Sequence, residues 1–274
     1  MVRAASRVLL PLGTALAGAL GMLVACGSFG AAESEAPPEA GSEAAVGVGD
    51  AGTTADAGLC APRAFCDSFD DGTPLPRGWK AVVTSGAAKL AIVPGAGVGD
   101  TSALVATFVN DSLPQSALLP LDVGVNGPPS YDMVLAFSAR VTTTGAGFVL
   151  GPRFLGNAPD GGSRDIFVDW HANMIRLDRY IPSCDGGCPV SKTDTPVDVG
   201  WHRYTLTVNA RSATAPSYGN VKLEVDGNIL VNEALTFSLS SPSKYGFQFG
   251  VSYATGNAGG SIAFDDVSLL VTAR

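Results

Sequence analysis

Basic residues are scarce in this sequence, and their scarcity removes the first class of partner. Lys and Arg together number 17 against 25 Asp and Glu, for a net charge of −8. Setting aside Arg3 and Arg7, the remaining 15 bases lie beyond residue 58, scattered among 19 acids. No stretch forms the basic stripe that a phosphate backbone requires, so nucleic acid is excluded. Helical periodicity is missing as well, since no segment repeats apolar residues at three- and four-residue spacing for three turns. Glutamate almost disappears after residue 58, where only Glu224 and Glu233 occur. Histidine is limited to His171 and His202.

What is present begins with an export signal. Arg3 and Arg7 precede an uncharged apolar run from Val8 to Ala25, broken by Pro11, Gly13, Gly18 and Gly21. Charge, apolar stretch and a small-residue cut site, in that order, read as a secretory signal peptide over 1–25. The run is too rich in glycine to serve well as a spanning helix. The tetrad Leu23-Val24-Ala25-Cys26 resembles the lipobox of bacterial lipoproteins. That resemblance implies lipid modification of Cys26, a membrane partner through the acyl chains, and a place in the bacterial cell envelope. Gly27 after the cysteine, by the same resemblance, points to the outer membrane or cell surface.

Residues 26–58 then form a tether. Ala, Gly, Pro, Ser and Thr dominate, with six acids (Glu33, Glu35, Glu39, Glu43, Asp50, Asp56) and no base after Cys26. Such a composition cannot bury enough apolar surface to offset its ordering entropy, so disorder is expected. Residues 59–274 suffice for one domain with its own core. Its cysteines are Cys60, Cys66, Cys184 and Cys188. Four cysteines allow three pairings, and proximity favours Cys60–Cys66 and Cys184–Cys188 as disulfides in an oxidising compartment. The alternative is a metal site at Cys184 and Cys188, which lacks a histidine close in sequence.

Alternation with period two predicts strands throughout the domain. Tyr131, Met133, Leu135, Phe137, Ala139 and Val141 share one face, opposite Asp132, Ser138 and Arg140. Similar alternation runs through 166–170, 203–208, 221–225 and 245–253, with further strands near 87–93, 101–109, 147–154 and 261–272. Asp226-Gly227 predicts a hairpin. A two-residue turn at Ala172-Asn173 would set Trp170 opposite Ile175, Val168 opposite Leu177 and Asp169 opposite Arg176. The apolar parity slips between Phe264 and Val267, which predicts a bulge at Asp265-Asp266. About a dozen strands without helices imply an all-β domain of two packed sheets or a barrel.

Three segments narrow this further. They are Phe65-Cys66-Asp67-Ser68-Phe69-Asp70-Asp71-Gly72, Gly200-Trp201-His202-Arg203-Tyr204 followed by Val221 to Gly227, and Ile262-Ala263-Phe264-Asp265-Asp266-Val267. Together they resemble the concanavalin A-like lectin/glucanase superfamily, which includes laminin G-like domains. The resemblance implies an antiparallel jelly-roll sandwich whose last strand lies beside its first. Such sandwiches host lectins, hydrolases, lyases and adhesion modules, so the function must come from the site.

Glucanases of that superfamily carry two glutamates and an aspartate alternating on one strand, for retaining hydrolysis. No Glu-x-Asp-x-x-Glu run exists here, and Glu224 and Asp226 read as solvated residues of a hairpin tip. A polysaccharide lyase needs a Tyr or His base with Arg and Gln beside it. His171, Arg176 and Tyr180 fall on one hairpin face, with Gln248 on another strand. The sequence around them matches no lyase motif, and a cross-strand Asp169–Arg176 pair on a wet face accounts for them more simply. The same Asp169, His171, Arg176 and Tyr180 could form a glycan-binding surface. No catalytic residue is assigned and no cofactor is called for. Asp67, Asp70, Asp71, Asp265 and Asp266 could meet and hold structural calcium, although turns and bulges favour Asp for its own hydrogen bonds. His202 has the parity of a strand-end core residue, and Trp79 and Trp201 read as sheet-edge residues. The expected function is therefore glycan or envelope binding without catalysis, with a carbohydrate-active enzyme or a structural module as alternatives.

Overall fold

The structure is a computed structural model that describes residues 65–122, 130–144, 148–157, 163–171, 174–180, 195–211, 215, 217–236, 246–255 and 259–274. The signal segment, the tether, Cys26, Cys60, Cys184, Cys188 and the Ala172-Asn173 turn lie outside the described residues. The described chain forms fifteen strands and a single 3-10 turn at Val98–Asp100. The first eight strands are β1 (Phe65–Asp67), β2 (Val83–Ser85), β3 (Lys89–Val93), β4 (Ala103–Phe108), β5 (Gln115–Asp122), β6 (Tyr131–Thr144), β7 (Phe148–Asn157) and β8 (Ser163–His171). Then come β9 (Met174–Tyr180), β10 (Thr195–Pro196), β11 (Trp201–Ala210), β12 (Gly219–Val225), β13 (Asn228–Ala234), β14 (Gly246–Thr255) and β15 (Gly259–Ala273).

They assemble into two antiparallel sheets. The eight-stranded sheet runs β13-β12-β11-β6-β15-β4-β3, with β1 also paired to β15, and the seven-stranded sheet runs β10-β9-β8-β7-β14-β5-β2. The inward halves of the alternating strands meet between the sheets. Phe137 of β6 lies edge-on to Phe249 of β14 with centroids 5.6 Å apart, Phe264 of β15 is 4.9 Å from Phe249, and Trp170 of β8 is 5.8 Å from Tyr204 of β11. All five rings are buried. Each such side chain contributes about 1.5–3 kcal/mol through burial, which is why apolar parity dictates the register.

The expected β8–β9 register is observed, with Trp170 opposite Ile175, Val168 opposite Leu177 and Asp169 opposite Arg176. The Asp226-Gly227 hairpin is observed too. Asp226 and Gly227 both take positive φ (51° and 78°), as a two-residue turn between right-twisted strands requires. The bulge at Asp265-Asp266 also forms. It sits where β15 changes its outer neighbour from β4 to β1, so the chain bends between two pairings.

Trp79 departs from the expectation. It is not an edge residue: only 3 % of it is exposed, and its ring stacks on Phe249 at 5.6 Å and meets Phe65 edge-on at 4.5 Å. It reaches the core from the segment between β1 and β2, where turn residues hide any alternation.

Candidate functional site

The outer face of the seven-stranded sheet collects the polar side chains of interest. Gly151-Pro152 interrupts β7, and the register on β8 slips there by one residue. Proline donates no hydrogen bond, so it suits a bulge. Gly151 is required because a Cβ there would lie 2.0 Å from the Trp170 ring. The slip sets Arg153 opposite Phe167 on one side and Gln248 on the other. Arg153 Nε donates to Gln248 Oε1 at 2.8 Å, and its guanidinium lies 3.5 Å from Asp165. Burial pushes the Arg153 guanidinium down and the Asp165 charge pushes it back up. An arginine remains protonated under both influences.

One row along the sheet, Asp169 faces Arg176, and the two side chains form a close ion pair. The sequence placed this pair on a wet face. The structure corrects that: Asp169 has no exposed surface, Arg176 shows 15 % of its side chain, and Phe167 and Asp165 are also buried. The proposed quartet is also more extended than expected. His171 lies a row beyond Asp169, opposite Met174, whereas Tyr180 lies opposite Asp165 at the far end of the hairpin. Six residues separate Asp165 from His171, a span of about 20 Å. Asp169 and Arg176 meet, and the side chain of Tyr180 lies outside the described residues. His171 Nδ1 is buried without a hydrogen-bond partner among the described residues. Arg153, Asp165, Phe167 and Tyr253 were not singled out from sequence. Tyr253 occupies the row of Asp169, reached across β7 through Leu150.

A second polar cluster lies at the edge of the sandwich. His202 was expected in the core, yet its ring is only part-buried and bridges two carboxylates. Nδ1 is 2.7 Å from Asp226 and Nε2 is 3.0 Å from Asp198. Asp226 is exposed in its turn, as expected, and it also accepts the Arg203 N–H at 2.8 Å. Glu224 pairs with Lys222 across 2.9 Å. Trp201 sits beneath the Arg140 guanidinium, 5.1 Å from its ring.

Four of the acids proposed for calcium, near the β1–β15 pairing, give their oxygens to hydrogen bonds and ion pairs. Asp67 accepts from Trp79 Nε1 at 2.9 Å and the Phe69 N–H at 3.0 Å, and pairs with Arg77 at 3.0 Å. Asp71 also holds Arg77, and Asp70 accepts the Ser102 N–H. Asp265 accepts from the Val98 N–H and the Thr101 hydroxyl, each at 2.9 Å, and Asp266 donates its own N–H to it. Among the described residues no three His, Cys, Asp or Glu side chains converge on a cation position. Asp67, Asp70, Asp71 and Asp265 fasten loops to the sheet edge.

Burial raises both Asp67 and Asp265 to about 6, against the opposing pull of Arg77, Trp79 and Phe69 on the first and of Val98 and Thr101 on the second. A carboxyl raised by folding favours the folded state while protonated, so this contribution is present below 3.8 and is lost as the pH rises through about 6. The wild-type protein should therefore gain melting temperature relative to Asp265→Asn as the pH falls from about 7 to about 5. Thermal melts of the two proteins across that range check this; a constant difference would contradict it.

No family profile matches the chain, and no curated protein matches it in sequence. Solved structures do match. The endo-β-1,4-glucuronan lyase of the fungus Trichoderma reesei aligns over 77 % of this chain and 96 % of its own, with a TM-score of 0.56 at 18 % identity. The cellulose-induced protein Cip1 aligns over 75 % and 96 %, with a TM-score of 0.49 at 12 % identity. The CBM22-1 xylan-binding domain of Paenibacillus barcinonensis Xyn10C aligns over 78 % and 97 %, with a TM-score of 0.40 at 11 % identity. The fold is a jelly-roll sandwich. The glucuronan lyase shares it. Cys66, the one cysteine among the described residues, is disulfide-bonded.

Proposed function

We propose that this chain is an exported lipoprotein, acylated at Cys26, whose concanavalin A-like sandwich binds a glycan on the outer face of its seven-stranded sheet without transforming it. One observation carries the reading: both arginines described on that face are already matched by carboxylates, Arg153 by Asp165 and Arg176 by Asp169. A lyase needs a positive group at liberty to neutralise the uronate as its proton leaves. Compensated, fixed guanidinium and amide groups suit hydroxyl recognition instead. With its Oε1 taken by Arg153, Gln248 keeps its amide donors for a ligand. The disulfide at Cys66 supports an oxidising compartment, and Cys60 is the partner that proximity favours. The outer membrane or cell surface is the location this reading requires.

Affinity electrophoresis against a panel of neutral and acidic polysaccharides tests it. Retention by one class, weakened roughly tenfold or more in Arg153→Ala or Gln248→Ala, is the expected result. No unsaturated product should appear in ultraviolet absorbance. The absence of retention by any polysaccharide would end the proposal. A rise in unsaturated product would carry the second reading, a polysaccharide lyase. His171 and Tyr253, two groups able to move protons on the same face as Arg153 and Gln248, favour that alternative.

A further inference from the structure

The connection from β10 to β11 takes the chain from one sheet of the sandwich to the other, and His202 stands where it arrives. On one side of the imidazole is Asp198, from that connection. On the other is Asp226, from the β12–β13 turn. Between them opens a cleft of about 220 Å³, walled by Val197, Val225 and Leu230 and bordered by the three polar side chains. Among the described residues, the titratable groups facing the imidazole are Asp198, Asp226 and Tyr204 of its own strand. Burial pushes the Tyr204 hydroxyl up to about 12, so it stays neutral at ordinary pH. Arg203 contributes its backbone N–H to Asp226 and turns its guanidinium to Ser138 and Asp266.

Carboxylates only accept hydrogen bonds. An imidazolium donates from both nitrogens, whereas neutral imidazole donates from one and accepts at the other. Two ionised acids can therefore both be held only while the ring is charged. The two arms are unequal. Asp226 is fixed through its second oxygen by the Arg203 N–H, and its bond to the ring is the shorter. Asp198 has 79 % of its side chain exposed and is tied locally only to the Gly200 N–H. We propose that His202 is a proton-operated latch: charged, it fastens the β10–β11 connection to the β12–β13 turn; neutral, it keeps Asp226, releases Asp198 and lets the cleft edge open.

Burial alone would push the imidazole down, but the hydrogen bonds and charges of Asp226 and Asp198 hold it above 6.5. The Gly200 N–H and His202 hold Asp198 below 3.8. For Asp226 burial acts upward, and His202 with the Arg203 N–H brings it below that value. The raised histidine stabilises the fold fully below 6.5 and loses its contribution as the pH rises through its folded value. The lowered acids contribute above 3.8 and lose their contribution as the pH falls through theirs. The latch is thus fully closed between those limits and opens on the alkaline side. β10 is also the edge strand of the sheet that carries the candidate glycan face, but the latch does not depend on that reading.

With only two histidines in the chain, nuclear magnetic resonance can follow both ring titrations in the full-length protein. His202 should titrate above 6.5, and Asp198→Ala, an exposed change that leaves the core intact, should lower its midpoint by about half a pH unit. Hydrogen exchange over residues 195–203, corrected for its intrinsic pH dependence, should quicken about two- to fivefold on crossing that midpoint. In Asp198→Ala and in His202→Gln the quickening across the midpoint should vanish. A His202 midpoint unmoved by Asp198→Ala, or exchange indifferent to the midpoint, would overturn the latch.

Discussion

Trp79→Ala should lower the unfolding free energy by roughly 3–5 kcal/mol, the usual range for removing a buried indole. In a domain of this size that corresponds to a fall in melting temperature on the order of 10 °C. The ring fills space between the sheets against Phe65 and Phe249, so its loss leaves a cavity that flanking strands cannot close. Its Nε1 also serves the buried Asp67 carboxyl, which would lose one of its donors. Trp79→Phe separates the two effects: it keeps most of the volume and forfeits only the hydrogen bond, so it should cost about 1–3 kcal/mol. Denaturant unfolding of the three proteins measures both differences. A Trp79→Ala loss below about 1 kcal/mol would mean that the indole does not brace the two sheets.

The contrast between Trp79 and the strands shows which features could be read in advance. Alternation along 131–141 and 203–208 survives in the structure because each apolar parity has a sheet to bury it. Short turns are equally legible. Asp169 stands against Arg176 as expected, and Asp226-Gly227 placed β12 against β13, because two-residue connections allow few registers. Trp79 offered no such signal, sitting after Pro76, Arg77 and Gly78 with its partner Asp67 twelve residues away. Arg153 and Gln248 are 95 residues apart, and their meeting depends on a bulge at Gly151-Pro152 and on which strands lie side by side. Strand order is a tertiary property that periodicity does not carry.

His202 is an intermediate case. Asp198, Gly200 and His202 stand close enough in sequence to suggest a turn, but the second acid arrives from a hairpin 24 residues later. The parity of His202 with Tyr204 and Leu206 was right and its environment was wrong. A residue at the first turn of a strand can share the core face while its polar atoms reach past the sheet edge. The same distinction corrects the candidate site. Parity put Asp169, His171 and Arg176 on one face correctly, yet parity alone says nothing of how far along the hairpin the four proposed residues spread.

The Asp169–Arg176 pair supplies the second large effect and the sharpest test of the site. Asp169→Ala should destabilise the protein by roughly 3–5 kcal/mol, because it takes the buried carboxylate away from a guanidinium that is largely withdrawn from water. Replacing both partners by apolar residues of similar size, Asp169→Leu with Arg176→Met, should restore most of that loss, since neither charge then needs compensation. Urea unfolding of the two variants measures the difference, and a double variant as unstable as Asp169→Ala would show that other contacts of Asp169 dominate. The double variant also divides brace from binding surface. If the pair only braces β8 to β9, the folded double variant should retain its polysaccharide while Arg153→Ala does not. If Arg176 touches the ligand, retention should fall in both. In a double variant that urea unfolding shows to be folded, a loss of binding reports on recognition and not on stability.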